Sequence, residues 1–130
     1  MRAGDTFLLA GGRVHTPHLW VILWGPAGAA DACLAVFLTT LRPYSDRACV
    51  LTAGDHPFIR HDTTAAYRDV QRFTAEKLRL LIQNGTAKPR PPVDAAVLER
   101  LRAGFFASAH TPNAMIGIAR EEFGAGVPGE

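Results

Sequence analysis

The sequence predicts a mainly β domain with helices in its C-terminal part, built on a small, curved antiparallel sheet or partly open barrel. Short apolar runs rich in β-forming residues, separated by glycine and proline turns, occupy the chain to about residue 73. Helical periodicity follows only after residue 74. Strands and helices do not alternate along the chain, which argues against a parallel, doubly wound sheet.

The composition fits a single globular domain. The chain has 130 residues, of which 48% are apolar and 20% charged. Chains of this length can form one hydrophobic core and rarely form two. We predict one domain over residues 1–130, with a β-barrel core at 1–73 and a helical part at 74–130. The tail from residue 124 has three glycines and a proline, and we expect it to fray.

The sequence does not predict membrane insertion or export. The first five residues lack the charged-then-apolar pattern of a signal peptide. The longest apolar region, residues 19–30, is broken by Gly25-Pro26 and is too short to cross a bilayer. The two cysteines, Cys33 and Cys49, lie in apolar runs, where we expect them to be buried and reduced. We therefore expect a cytoplasmic protein with no membrane partner.

Short apolar runs bounded by turn residues predict the strands. They lie at residues 5–10, 18–24, 33–40 and 48–52, with a further extended segment at 57–61 and a bulged strand at about 65–73. Trp20 and Trp24 are expected on one strand face, with one of them in a partner surface. The predicted core consists of Leu19, Val21, Ile22, Leu23, Leu34, Val36, Leu38, Val50, Leu51, Phe58, Leu78 and Leu81.

Capping residues and periodic apolar positions predict three helices in the last third of the chain. Thr74 caps the first helix, which ends at Asn84-Gly85, and Asp94 caps the second. Thr111-Pro112 is predicted to supply the N-cap and first residue of the third. The proline-rich residues 88–92 are expected to form a stiff connector. We expect the helices to pack on one side or at one end of the sheet.

Residues 48–62 carry the densest set of titratable groups, including His56, Arg60 and His61. A metal site is one interpretation, but residues five apart on an extended segment point to opposite faces. The two histidines would therefore need a bend between them to share one ion. We predict no metal and no cofactor. A histidine transfers protons near neutral pH without a cofactor, which favours acid–base chemistry.

Cleavage of an RNA phosphodiester requires a base for the 2′-hydroxyl, an acid for the leaving oxygen, and charged or hydrogen-bonding groups for the pentavalent phosphorane. Residues 68–102 contain eight basic and four acidic residues. This excess of positive charge has two interpretations, phosphate binding and solvent-exposed helix faces. Residues of the required types near predicted strand ends and turns are His18, Thr39, Thr40, Arg42, His56, Arg60 and His61.

Several segments in order resemble the MazF/PemK-type toxin family. They are Gly4-Asp5, HLWVIL at 18–23, AVFLTT at 35–40, ACVLTAGD at 48–55, and then the AAYRDVQRF strand and TAEKLRLLI helix. The resemblance covers roughly residues 4–84, so the later helices are additional. It implies an SH3-like barrel, a homodimer, and metal-independent endoribonuclease activity that an antitoxin protein neutralises.

The family pattern maps onto particular positions of this chain. Its basic residue at a strand start, usually arginine followed by proline, falls on His18-Leu19, where histidine keeps acid–base capacity but loses the permanent charge. Its strand-end hydroxyl falls on Thr39 or Thr40. The segment GDHPFIRHD has no counterpart in the family pattern.

These observations lead to one functional prediction and one alternative. We predict a toxin-like endoribonuclease that cleaves single-stranded RNA, with His18, Thr40 and His61 converging on a shared concave face as the catalytic residues. Arg60 and Asp62 are expected to supply phosphate affinity and to fix the tautomer of His61. The predicted substrate-binding residues are Thr39, Arg42, His56 and Arg60. The alternative is a non-enzymatic, barrel-type binding module for a protein or nucleic acid.

Overall fold

The computed structural model describes residues 1–11 and 14–125. This part of the chain forms a mixed α/β fold, with one antiparallel sheet and three α-helices. The strands are β1 (Thr6–Gly11), β2 (Val14–Ala27), β3 (Ala32–Thr40), β4 (Val50–Leu51), β5 (Thr63–Ala65), β6 (Gln71–Phe73) and β7 (Ala87–Arg90). The helices are α1 (Ala75–Gln83), α2 (Ala95–Ala107) and α3 (Asn113–Phe123), with a short 3-10 helix at Tyr67–Asp69.

The sheet has the strand order β4-β5-β3-β2-β1-β7, and β6 pairs with β3 beside β5. Every pairing among the described strands is antiparallel. The predicted antiparallel sheet and late helices are therefore confirmed. The sheet is not closed, because β4 and β7 lie at its two ends and do not pair with each other, so the expected SH3-like barrel is not confirmed.

Helices cover both faces of the sheet, which corrects the expectation that they pack on one side or end. Val21 and Leu34 belong to a core cluster with Leu101 of α2 and Ala119 of α3. On the opposite face, Ile22, Ala35 and Phe73 pack with Leu78 of α1. The central strands β2 and β3 are apolar on both faces, so each face needs its own cover.

The two tryptophans lie on opposite faces, so the prediction of a shared face was wrong. The β2–β3 register changes between Ile22, which pairs with Ala35, and Trp24, which pairs with Leu34. Two residues of β2 are thus passed for one residue of β3, and this bulge turns the Trp24 side chain to the face opposite Trp20. Trp20 and Trp24 are 6% and 9% exposed, packing against Phe73 and Phe105 respectively.

Most of the predicted core is buried. Nine of the twelve residues are buried and Val50 and Leu81 are half-buried. Phe58 is the exception at 45% exposed. The predicted extended segment at 57–61 is instead a loop, since Pro57 offers no N–H for pairing and Ile59 N–H turns back to the His56 carbonyl.

The segment predicted as a bulged strand at about 65–73 is divided into β5 and β6, both paired with β3, with the 3-10 helix between them. This insertion carries Tyr67 into the core, where its hydroxyl donates a 2.7 Å hydrogen bond to the Leu101 carbonyl. The insertion explains why the apolar residues of the segment do not follow a period of two.

The first two predicted helix caps are confirmed. Thr74 accepts a 3.2 Å hydrogen bond from Lys77 N–H, and Asp94 accepts one of 2.8 Å from Val97 N–H. The third helix differs from the prediction, because Pro112 is its N-cap and makes no side-chain capping bond. The Thr111 hydroxyl is buried instead and donates to the carbonyl of the preceding helix's Phe105.

The predicted connector at 88–92 contains a strand that the sequence did not predict. Ala87–Arg90 forms β7, which pairs with β1 at the edge of the sheet. Proline is tolerated on an edge strand, because its missing N–H faces away from the ladder. The predicted frayed tail falls largely on residues 126–130, which lie outside the described residues. None of the helices in the described part is long and apolar enough to cross a membrane.

Candidate functional site

A cavity of about 200 Å³ lies beside the end of β3 and contains most of the predicted functional residues. It is formed by β2, the end of β3, the loop at 58–61 and the start of β5. Its lining includes two histidines, one arginine and four threonines together with apolar residues. The predicted residues in the lining are His18, Thr39, Thr40, Arg60 and His61.

The strand register brings these residues to the same end of β3. Leu19 pairs with Leu38 across β2 and β3, so His18, one residue earlier on the antiparallel strand, lies at the level of Thr39. Thr40 pairs with Thr63 at the start of β5, two residues after His61. Residues far apart in the sequence therefore meet at one cavity.

His18 has a defined tautomer. Its Nδ1 lies 3.1 Å from the Leu38 carbonyl oxygen, and since a carbonyl oxygen only accepts, Nδ1 must carry the proton. In the neutral ring, Nε2 is then the unprotonated nitrogen. The Phe37 ring, 4.8 Å away between centroids, packs beside the half-buried imidazole. This arrangement gives His18 the form of a Brønsted base with a fixed ring.

His61 is exposed at the cavity, and its Nε2 lies 2.9 Å from the Thr40 hydroxyl oxygen. The hydroxyl donates to a neutral Nε2 or accepts from a protonated one, so the pair suits either state of the ring. The Thr63 hydroxyl donates to the His61 carbonyl at 2.9 Å and holds the backbone in place. The Asp62 carboxylate does not bond to the His61 ring, so its expected role in fixing the tautomer is not seen.

The lining is suited to an anion. No carboxylate lines the cavity among the described residues, whereas Arg60 and the two histidines do. None of the ion pairs in the described part of the chain involves Arg60. A guanidinium and several hydroxyls around one small cavity provide donors for phosphate oxygens.

His56 lies elsewhere and has a structural environment. It is 4% exposed and does not line the cavity. Its Nδ1 accepts a 3.0 Å hydrogen bond from Phe58 N–H, so Nε2 carries the proton that is donated to the Pro91 carbonyl at 2.5 Å. Both ring nitrogens are therefore in use, and the placement does not support the predicted role in substrate binding.

Arg42 also lies outside the cavity lining. It is exposed in the turn after β3, where its N–H donates to the Ser45 hydroxyl at 2.8 Å. Its predicted contact with the substrate therefore has no support from its position. The sequence predicted Phe58 to belong to the core and missed it as a lining residue, because an apolar side chain beside Ile59 carries no local signal for exposure.

The cavity's donor set does not resemble a protein metal site. No carboxylate or thiolate is among the described residues that line the cavity with its two histidines, and no group of three potential histidine, cysteine or carboxylate ligands occurs in the described part of the chain. The cysteines lie apart, Cys33 in the core cluster under α1 and Cys49 in the cluster under α2. Burial raises the pKa of the Cys33 thiol to about 11 and also raises the pKa of Cys49.

No protein-family model matches the chain, and no curated protein matches it either. What the fold and the site define is a mixed α/β domain with a cavity lined by histidine, threonine and arginine at the end of a central strand.

Proposed function

We propose that the protein is a metal-independent endoribonuclease of the toxin–antitoxin type, acting on single-stranded RNA. The observation that carries this proposal is that His18, Thr40, Arg60 and His61 line one small cavity in which no carboxylate occurs among the described lining residues. Two histidines beside an arginine supply the base, the acid and the positive charge that transesterification at a phosphodiester requires.

The tautomers support a division of roles. His18, with its proton held on Nδ1, uses Nε2 to take the proton from the 2′-hydroxyl. The 2′-oxygen then bonds to phosphorus, and the bond from phosphorus to the 5′-oxygen breaks. Protonated His61 gives its proton to the departing 5′-oxygen, with the Thr40 hydroxyl orienting the ring. Arg60 and Thr39 stabilise the phosphorane, and the products are a 2′,3′-cyclic phosphate and a 5′-hydroxyl.

The proposal also uses the resemblance of residues 4–84 to the MazF/PemK-type family. Strands β1 to β6 followed by α1 occur in the order expected for the MazF/PemK type, and α2 and α3 are additional. We propose on this basis that the sheet corresponds to an opened SH3-like barrel. A homodimer and a neutralising antitoxin protein are the partners that the same resemblance implies.

Cleavage of single-stranded RNA at neutral pH in the presence of a chelator tests the proposal. His18→Ala and His61→Ala should each lower the rate by about 10²–10⁴-fold, the usual contribution of a positioned acid or base. His110→Ala is the matched control, since His110 is exposed and lies outside the cavity lining. Wild-type rates in both cavity variants would refute the proposal.

A non-enzymatic binding module is the second candidate. It is favoured by His18 standing where the family has arginine, which leaves Arg60 as the permanent positive charge among the described lining residues. In this case the purified protein binds RNA without cleaving it, and binding weakens as salt is raised. Arg60→Ala should then lower both the affinity and its salt dependence.

A further inference from the structure

Phe58 is an exposed aromatic side chain in the lining of the cavity, next to groups suited to phosphate. It is 45% exposed and shares the lining with His18, Arg60 and His61. We propose that Phe58 forms a nucleobase subsite, on which an unpaired base stacks while the adjacent phosphate occupies the cavity. The inference rests on the proposed function, because the phosphate in the cavity must belong to a nucleic acid.

The loop that carries Phe58 is held by buried contacts. Phe58 N–H donates to His56 Nδ1 at 3.0 Å, and Ile59 N–H donates to the His56 carbonyl at 3.0 Å. His56 is in turn bonded to the Pro91 carbonyl, beneath the loop. The backbone under the exposed ring is therefore fixed before a ligand arrives, which lowers the entropic cost of binding.

The start of the same loop is held separately. Asp55 accepts a 2.8 Å hydrogen bond from Thr52 N–H and pairs with Arg100 of α2 at 3.2 Å. The segment GDHPFIRHD thus divides into anchors, Asp55 and His56, and groups that line the cavity, Phe58, Arg60 and His61. An aromatic ring and a guanidinium that line the same cavity match the pattern by which proteins bind single strands, in which bases stack on the ring and phosphates bind the charge.

The chemistry of this pair specifies the state of the nucleic acid. Every nucleobase has a face that stacks on an aromatic ring, so Phe58 provides affinity with little sequence preference. A base inside a duplex is already stacked on both faces and is not available. The subsite therefore selects single strands, and the same nucleic acid in duplex form should gain nothing from Phe58.

Binding of two fluorescent oligonucleotides of equal length separates the base from the phosphate. The first is a single-stranded deoxyoligonucleotide, which lacks the 2′-hydroxyl and so is not cleaved; the second is its abasic analogue. Phe58→Ala should weaken binding of the first by about 5- to 150-fold, the range for loss of one base–aromatic stack, and leave the second unchanged. Because Phe58 is exposed, the variant is expected to fold.

Tyr44→Ala is the matched control, since Tyr44 is an aromatic residue, 87% exposed, outside the cavity lining. It should not change the affinity for either oligonucleotide. Equal affinity of wild type and Phe58→Ala for the base-bearing strand would overturn the subsite alone. Binding of neither oligonucleotide by the wild type would overturn the subsite, and a simultaneous absence of RNA cleavage would overturn the proposed function as well. A third outcome is that the wild type binds the base-bearing strand more tightly than the abasic one, that Phe58→Ala loses this difference, and that the wild type does not cleave RNA. This outcome would support the subsite as part of a binding module.

Discussion

His56 and His61 lie five residues apart, but alanine substitution should lower the stability of the protein at His56 and the rate of RNA cleavage at His61. His56 is almost fully buried and makes two hydrogen bonds, to Phe58 N–H and to the Pro91 carbonyl. Each bond contributes about 1 kcal/mol net, and the lost imidazole leaves a cavity that adds a further ~1–2 kcal/mol. We therefore expect His56→Ala to lower the free energy of unfolding by about 3–4 kcal/mol.

His61 is exposed and its ring makes one hydrogen bond, to the Thr40 hydroxyl. Surface substitutions of this kind change stability by about 0.5 kcal/mol or less. On the proposed mechanism, however, His61→Ala removes the general acid and should lower the cleavage rate by about 10²–10⁴-fold. The two variants should therefore separate stability from catalysis.

Thermal unfolding of both variants, followed by RNA cleavage well below the lower Tm, checks this prediction. For a domain of this size, the loss in His56→Ala corresponds to a Tm lower by roughly 10 °C. His56→Asn is a graded control, because its amide oxygen replaces Nδ1 as acceptor for Phe58 N–H while the bond to Pro91 is lost. A His56→Ala variant as stable as the wild type, or a His61→Ala variant equally destabilised, would refute the assignment.

Three further predictions concern stability, each measured by denaturant unfolding. Asp94→Ala removes the cap on Val97 N–H and should cost about 1 kcal/mol, whereas an unchanged midpoint would contradict it. Gly104→Ala should cost about 1–3 kcal/mol despite its better helix propensity, because the added methyl would overlap the Tyr67 hydroxyl; a stabilised variant would refute this packing. Burial raises the pKa of the Cys33 thiol from 9.0 to about 11. The unfolded chain therefore loses this thiol proton first, and the stability that the buried neutral thiol contributes is fully present below pH 9 and is lost as the pH rises towards 11. Over this pH range, the free energy of unfolding of the wild type should thus fall by about 2–3 kcal/mol relative to that of Cys33→Ala. Free energies of unfolding that change in parallel with pH in the two proteins would contradict this prediction.

The sequence by itself determined the elements whose signals are local. The apolar runs of β2 and β3 predicted central strands, because such continuous runs are stable only when buried. Thr74 and Asp94 predicted helix starts, since a capping side chain bonds to an N–H three residues away in the same segment. The residue types needed for acid–base chemistry were also visible, as His18, Thr40 and His61.

Only the tertiary structure decided which of these residues meet. That His18 and Thr40 line one cavity depends on the register between β2 and β3, which the packing of whole strands determines and no short segment encodes. The same holds for the two histidines within residues 48–62. His56 lies in the interior, where its Nε2–H donates a hydrogen bond to the carbonyl of Pro91, 35 residues later. His61 lies at the cavity, where its ring is hydrogen-bonded to the Thr40 hydroxyl.

Long-range pairing likewise decided the shape of the sheet. A bulge at Leu23 sends Trp24 to the face opposite Trp20, and the proline-containing β7 joins the edge beside β1. Neither feature has a strong local signal, since a bulge is one extra residue in an apolar run and proline disfavours a strand in isolation. Propensity and periodicity describe a chain's preferences within a few residues, whereas the open, doubly covered sheet results from contacts between segments that are distant in sequence.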